Sequence, residues 1–154
     1  MKKLIIVMTI LVTGFAQAQK LKESEVPKAV RDSFAKRFPS MKGVEWSKEN
    51  ETEFEAEFKN AGKEQSSNFD QAGKWLATET EIKKNDLPKA VQASIAKEFA
   101  GFKVEEAEKV ETANDDTKYE VSLEKGELSY EVLLSSDGKV LKKEEKKEKD
   151  DHKD

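Results

Sequence analysis

The chain of 154 residues contains no cysteine, and this absence removes several kinds of chemistry from consideration. Without thiols the protein can form no disulfide, so the packing of apolar side chains must hold the fold together. Thiol-based redox activity and attachment of a lipid through a cysteine are excluded for the same reason. Histidine is nearly absent as well, because His152 is the only one. It lies in a charged segment with nothing to hold it against a serine, so no serine–histidine catalytic pair is predicted.

Glycine and proline are also scarce, with seven glycines, none of them clustered, and three prolines. A glycine-rich phosphate loop is therefore absent. Acidic residues are abundant, but Asp70, Asp137 and residues 114–116 lack the spacing of a calcium loop and are interpreted as turn residues. The acidic residues around His152 have no fixed geometry for a metal. The sequence therefore predicts no catalytic residue, no cofactor-binding residue and no metal ligand, and it does not predict an enzyme.

The N-terminus has the pattern of an export signal. Lys2 and Lys3 precede an apolar run over residues 4–12, and residues 16–18 (AQA) resemble a cleavage site. A membrane anchor would need roughly 18 apolar residues, and this run is shorter. We therefore expect residues 1–18 to be a signal peptide and the mature protein to be periplasmic or secreted, with no membrane insertion after cleavage.

The mature chain is acidic. Once Lys2 and Lys3 leave with the signal, 26 basic residues remain against 32 acidic ones, a net charge of −6. Nucleic acids and anionic membrane surfaces attract basic protein faces. Neither is therefore an expected partner.

One segment of the chain is written twice. Residues 26–38 (VPKAVRDSFAKRF) align with residues 87–99 (LPKAVQASIAKEF) at a constant shift of 61, and eight of the thirteen pairs are identical. Farther along, residues 52–76 align with residues 117–141 at a shift of 65, through shared threonine, aromatic, glycine and leucine positions. Self-similarity on this scale indicates that a supersecondary unit was duplicated.

Each copy predicts a helix followed by strands. In residues 26–38 and 87–99 an apolar residue recurs at every fourth position, which places one apolar stripe along a helix that opens with a proline. The apolar period then falls to two, as in residues 53–58, which predicts strands joined by short turns. We therefore predict an α+β fold: a tandem repeat of a helix followed by an antiparallel β-meander, with the helices packed on one face of the sheet.

The predicted repeats are short, about 23–82 and 84–141. Some sixty residues with one helix bury little apolar surface, so we predict that both repeats belong to a single domain over residues 19–141. Residues 142–154 are almost wholly charged and are predicted to form a disordered tail.

The two copies differ in their tryptophans and in one strand. Trp46 and Trp75 occur only in the first copy, so they are candidate partner-binding residues, with core packing as the alternative. Glu53, Glu55 and Glu57 should line the outer face of a strand, as a solvated surface or as a surface for a cation or a basic partner. Residues 63–69 are more polar than residues 128–134, so any open sheet face is expected in the first copy.

The repeated residues carry a family resemblance. The proline-opened helix of residues 26–39, the strand at residues 54–58 and the turn at residues 69–76 resemble the pattern of PepSY-like, beta-lactamase-inhibitor-like periplasmic proteins. The second copy repeats that pattern through residues 87–99 and 137–141. The resemblance implies helices packed on an antiparallel sheet and a protein that acts by binding. It does not imply inhibition of a beta-lactamase, because a fold does not fix a function, and the inhibitors usually carry disulfides that this chain lacks.

The function predicted from the sequence is an exported, non-enzymatic binding or inhibitory module that recognises a protein or peptide in the periplasm. The alternative is a periplasmic protein that handles a metal or small ligand through its acidic surface residues.

Overall fold

The computed structural model describes residues 19–146, which form an α+β fold with an antiparallel sheet and two α-helices. The predicted signal peptide, residues 1–18, lies outside the described residues. The helices are α1 (Lys28–Arg37) and α2 (Lys89–Glu98), and each follows a short 3-10 turn, at Glu23–Glu25 and Lys84–Asp86.

Within the described range the sheet has nine strands, and each is hydrogen-bonded to the next along the chain. The strands are β1 (Gln19–Leu21), β2 (Glu45–Lys48), β3 (Glu53–Asn60), β4 (Lys63–Asp70), β5 (Trp75–Glu81), β6 (Lys103–Thr112), β7 (Thr117–Lys125), β8 (Leu128–Ser135) and β9 (Val140–Glu145).

The chain divides into two compact units. Unit 1 holds the residues up to Lys59 together with Ser66–Leu76, and unit 2 holds Asn60–Gln65 and the residues from Ala77 onward. Each unit contains one α-helix. That both belong to a single domain stays a prediction.

The two helices begin in the same way. Pro27 and Pro88 immediately precede α1 and α2, and each adopts an extended ψ that turns the chain into the helix. Proline suits this position because it has no N–H that would go unpaired, while its carbonyl accepts the first helical hydrogen bonds. The amides of Val30 and Arg31 donate to Pro27 O at 3.0 and 3.1 Å.

The core of unit 1 is aromatic. Phe34 of α1 stands at its centre, with ring centroids 5.1 to 6.3 Å from four other aromatic rings. These rings belong to Phe38, Trp46, Phe58 and Phe69. The alternating apolar residues Phe54 and Phe58 of β3 are buried in the same cluster, as their period of two predicted.

The core of unit 2 is aliphatic. Val91 and Ile95 of α2 pack on Val121 and Leu123 of β7, and the same cluster takes in Val132 and Leu134 of β8. The strands present one residue in two to the helix, so the residues between them point to the opposite face of the sheet.

The prediction that an open sheet face lies in the first copy is wrong for β4. Ser66, Ser67 and Asn68 of β4 are buried, although their sequence is polar. β4 is an interior strand with a hydrogen-bonded neighbour on each side, so the side chains of those two strands stand next to its small ones.

The predicted charged tail begins later than expected. β9 continues through Glu145, and the amide of Lys146 donates to Ser129 O at 2.8 Å. The pairing of β9 with β8 holds these charged residues in the sheet, because side chains of an outer strand can reach water while its backbone is bonded. Residues 147–154 of the predicted tail lie outside the described residues.

Substitution of Gly138 by alanine is expected to lower the free energy of unfolding by about 2–4 kcal/mol. Gly138 has φ +88°, and an added Cβ would lie 2.5 Å from Ala90 O in α2, so the turn after β8 could not keep its place against the helix. Urea denaturation measures the loss. Gly126→Ala is the matched control, because φ is also positive there but nothing lies within 4 Å of the new Cβ; it should cost only about 1 kcal/mol. Equal losses would contradict the argument from close approach.

Candidate functional site: a glutamate-lined sheet face

The structure places the two candidate tryptophans in or beside the core of unit 1. Trp46 is 6% exposed and packs edge-to-face on Phe34, with ring centroids 5.3 Å apart. Trp75 is half-buried against the same cluster, and the guanidinium of Arg37 lies 3.4 Å from the centroid of its ring. Trp46 is therefore a core residue, and its burial does not support the predicted role in partner binding.

Trp46 also lines a groove in unit 1 with a volume of about 450 Å³. Phe34, Phe38, Met41 and Val44 contribute the other apolar walls. The groove lies between α1 and the loop of residues 38–44 that precedes β2. No feature of its lining selects a particular ligand.

The three candidate glutamates of β3 do not share one environment. Glu57 is exposed and Glu53 is half-buried, but Glu55 is only 4% exposed. Ser47 of β2 donates a hydrogen bond of 3.2 Å to Glu55 Oε2. The expectation that all three form an outer, solvated row is wrong for Glu55, because the neighbouring strand shields it.

Unit 2 carries a larger set of glutamates on the sheet face opposite α2. We call this set the glutamate cluster, and its members come from five successive strands. It comprises Glu108 of β6 and Glu120 of β7 together with the glutamates whose charges act on them, namely Glu81 of β5, Glu106 of β6, Glu131 of β8 and Glu144 of β9. Their neighbours along the strands, such as Ala107 and Val121, are buried against α2.

The strand register brings these glutamates side by side. Glu108 lies directly opposite Glu81 on β5 and Glu120 on β7. Residues paired in this way have Cβ atoms about 4.5–5.5 Å apart, and like charges so placed destabilise a sheet. On the next strands Glu131 lies opposite Glu144. The fold therefore holds together carboxyl groups that repel one another when ionised.

Glu108 is the most buried member of the cluster, at 6% exposure. Within residues 19–146 no side chain or backbone group makes a hydrogen bond or an ion pair with its carboxyl group. Burial raises the pKa of Glu108 to about 8, and the charges of Glu120, Glu106, Glu131 and Glu81 add to the shift.

Glu120 behaves similarly but lies nearer to cations. Burial raises the pKa of Glu120 to about 7, and the charge of Glu131 raises it further. The positive charges of Lys146 and Lys142 lower it. Lys146 forms an ion pair with Glu131, and Lys142 lies 2.8 Å from Glu144. The lysines thus stand at the β9 side of the cluster.

The chemistry of the cluster is that of a surface for positive charge. Carboxyl groups with pKa values near 7 and 8 are partly protonated at neutral pH, and a cation brought against them would favour their ionised forms. Within residues 19–146 no group of three or more acidic or histidine side chains is arranged to hold a metal ion. In the same range no helix is long and apolar enough to cross a membrane.

The repeat in the sequence contains a correspondence between two glutamates that could have indicated this site. At the shift of 65 that aligns β3 with β7, Glu55 corresponds to Glu120. Glu55 is buried and Glu120 is half-buried, although glutamates are mostly exposed in proteins. Glu108 lies between residues 99 and 117, where the shift changes from 61 to 65, so the alignment assigns no single counterpart to it.

Comparison with known families and structures gives consistent matches. The family described as "Putative beta-lactamase-inhibitor-like, PepSY-like" matches residues 15–66 and 53–142 of the chain. No curated protein matches the chain in sequence.

Several solved structures from Bacteroides species share the fold. A "BLIP-like protein" from Bacteroides fragilis is 26% identical, with a TM-score of 0.67, and the match covers 81% of this chain and 90% of that one. A protein from Bacteroides eggerthii, named among "putative periplasmic proteins", is 22% identical, with a TM-score of 0.72, over 78% of this chain and 88% of that one. A DUF2874 family protein from Bacteroides uniformis is 23% identical, with a TM-score of 0.72, over 77% and 88%.

Proposed function

The chain belongs to the PepSY-like, beta-lactamase-inhibitor-like family, and from this membership we propose that it is a non-enzymatic module that binds a protein or peptide in the periplasm. The periplasmic location predicted from the N-terminus agrees with the name of the Bacteroides eggerthii relative. The name of the Bacteroides fragilis relative, with 26% identity, supports a protein partner.

The observation that carries the proposal is the glutamate cluster. Its central carboxyl, Glu108, is buried without a hydrogen-bond partner among the described residues, and it faces two further glutamates across the strands. Local sequence rules are commonly broken in this way at functional sites, where a binding partner supplies the missing interaction. We propose that this sheet face of unit 2 is the binding surface.

We also infer that the two units descend from one duplicated element, with each helix covering the same face of its strands. The matching order of a 3-10 turn, an α-helix and four strands in each half supports this inference. So does the aligned sequence of α1 and α2.

Trp75, Glu53 and Glu57 of unit 1 remain proposed partner-binding residues, because each has an accessible side chain.

Handling of a metal by acidic residues is less well supported. The described residues contain no grouping of the size and arrangement that a metal ion requires. The cluster instead spreads its carboxyl groups over five strands, which suits a larger cationic partner.

The proposal predicts that charge reversal on the glutamate cluster abolishes partner capture. Tag-free mature protein, Glu120→Lys and Glu98→Lys would each be immobilised and exposed to periplasmic extract from cells grown under several envelope stresses. Glu98 is exposed at the end of α2, away from the cluster, so Glu98→Lys should capture the same partner as the wild type. Glu120→Lys should lose it by at least tenfold. Absence of any partner for the wild type, or equal loss in both variants, would reject the proposed surface.

A further inference from the structure

We propose that the glutamate cluster binds an arginine side chain on an extended basic segment of the partner protein, and that Glu108 is the carboxylate that anchors it. This inference rests on the proposed function and specifies the chemistry of its partner. Nothing in the family description or in the names of the related structures assigns such a partner or such a residue.

The first support is the state of Glu108. Glu108 is only 6% exposed, and it lies between Glu81 and Glu120 with no hydrogen bond or ion pair to any described residue. A buried carboxylate in that state is costly, and the usual remedy in proteins is a cation with several N–H donors. The acidic face therefore has one defined point at which such a cation is missing.

The second support is the distribution of lysines. Lys142 and Lys146 lie near Glu144 and Glu131 at the β9 side of the cluster. Within residues 19–146, Glu81, Glu106 and Glu108 form no ion pair. β7 carries Lys118 on this face. Lys118 lies opposite Val110 and is two residues from Glu120. The β5–β6 side of the cluster thus carries three glutamates without an ion pair, and Lys118 stands diagonally across from Glu108.

The third support is the geometry of the row formed by Glu81, Glu108 and Glu120. Cross-strand neighbours on one face stand about 4.5–5.5 Å apart at Cβ, so two carboxylates can approach one planar group from either side. A guanidinium presents five N–H donors in a rigid fork and is less strongly hydrated than an ammonium ion, which suits it to the buried Glu108 and the half-buried Glu120 beside it. Arginine is therefore favoured over lysine.

The same contact makes binding depend on pH. Near neutral pH Glu108 is partly protonated, because burial and the charges of Glu120, Glu106, Glu131 and Glu81 disfavour its ionisation. The guanidinium keeps its charge throughout, and it binds the ionised carboxylates. Binding must then release a proton, so affinity rises with pH until Glu108 is ionised in the free protein.

The test uses a synthetic peptide and the full mature chain. The probe is a capped pentapeptide of alanine with arginine at positions two and four, which project to one side of an extended strand about 7 Å apart. The control peptide has citrulline, a neutral analogue of arginine, at both positions. Isothermal titration at pH 6.0 and pH 8.5 would compare the wild type with Glu108→Gln and with Glu124→Gln, an exposed position on β7.

We expect saturable binding of the arginine peptide to the wild type, at least tenfold tighter at pH 8.5 than at pH 6.0. Citrulline should abolish it, Glu108→Gln should weaken it at least tenfold and reduce its pH dependence to the part due to Glu120, and Glu124→Gln should leave it unchanged. Equal binding of the citrulline peptide, or unchanged binding to Glu108→Gln, would overturn the inference.

Two further outcomes separate this inference from the proposed function. If the peptide does not bind but Glu120→Lys still loses the periplasmic partner, the arginine inference is wrong and the binding surface stands. If micromolar calcium displaces the arginine peptide, the cluster is a cation site and the inference is overturned in favour of a metal. Failure of both the peptide and the partner capture would reject the surface itself.

Discussion

Substitution of Glu108 by glutamine is expected to stabilise the folded protein by about 2–3 kcal/mol at pH 9 and to change its stability little at pH 5. At pH 9 the wild type must hold an ionised Glu108 in a shielded site among other carboxylates, because its pKa is raised to about 8. Glutamine has nearly the same shape and no charge, although its buried amide recovers only part of the cost. Urea denaturation at the two pH values measures the difference.

The direction of the pH dependence follows from proton linkage. An unfolded glutamate has a pKa near 4.5, whereas folded Glu108 and Glu120 have pKa values of about 8 and about 7. Between these limits the folded state keeps protons that the unfolded state has released, so the contribution of these groups to stability is full below pH 4.5. It is lost as pH rises through 7 and 8, by about 1.4 kcal/mol per pH unit for each proton.

The matched control for this prediction is Glu124→Gln. Glu124 lies on β7, as Glu120 does, but its side chain is exposed. Its substitution should change stability by less than about 0.5 kcal/mol at either pH. If Glu108→Gln behaved like Glu124→Gln at pH 9, the assignment of a strained carboxylate to position 108 would be wrong.

Substitution of Phe34 by alanine is expected to destabilise the protein by about 3–5 kcal/mol. The ring of Phe34 contacts four other aromatic side chains at the centre of unit 1. Its removal deletes these contacts and leaves a cavity that rigid neighbouring rings cannot close. Denaturant unfolding followed by far-ultraviolet circular dichroism measures the loss.

The aligned repeat supplies a graded control for Phe34. Its counterpart in the second copy is Ile95, which is buried in the aliphatic core of unit 2. Phe34→Ile should therefore cost less than Phe34→Ala, about 1–3 kcal/mol, because it keeps most of the buried volume. Equal losses in the two variants would contradict the argument from buried volume and would assign the loss to the aromatic contacts of Phe34.

The same variants test the predicted single domain. Trp46 and Trp75 are the only tryptophans and both belong to unit 1, so tryptophan fluorescence reports that unit alone. Circular dichroism reports the helices and strands of both units. Coincident transitions in Phe34→Ala would support one cooperative domain, and a fluorescence transition that precedes the circular dichroism transition would contradict it.

Much of the fold could be predicted because its signals are local. The apolar residue at every fourth position marked α1 and α2, and the alternation of Phe54, Ala56 and Phe58 marked β3, since both patterns follow from the period of the backbone itself. The family resemblance was also confirmed. The extent of β9 could not be predicted, because its lysines and glutamates resemble a disordered segment until the pairing with β8 is known.

The environment of a polar residue was the least predictable property. The polar sequence of residues 66–68 predicted an open strand, but Ser66, Ser67 and Asn68 are buried. Glu55 was predicted to be solvated, but it is buried as well. Trp46 was ambiguous between a core and a binding role, and its contact with Phe34 places it in the core. For the polar residues the deciding information is which strand lies alongside, and for Trp46 it is the contact with α1.

The sequence by itself determined that this protein has two helix-and-strand segments, no thiol chemistry and an acidic surface. Composition is a count over the chain, and the backbone period involves only residues that are close in sequence, so neither depends on how the chain folds. Only the tertiary structure decided that Glu108 stands between Glu81 and Glu120. A 3-10 turn, α2 and the first half of β6 separate Glu81 from Glu108 along the chain, and the rest of β6 and one turn separate Glu108 from Glu120. Hydrogen-bonded register is what makes them neighbours. The burial that raises the pKa of Glu108, and hence the proposed site, arises from that register.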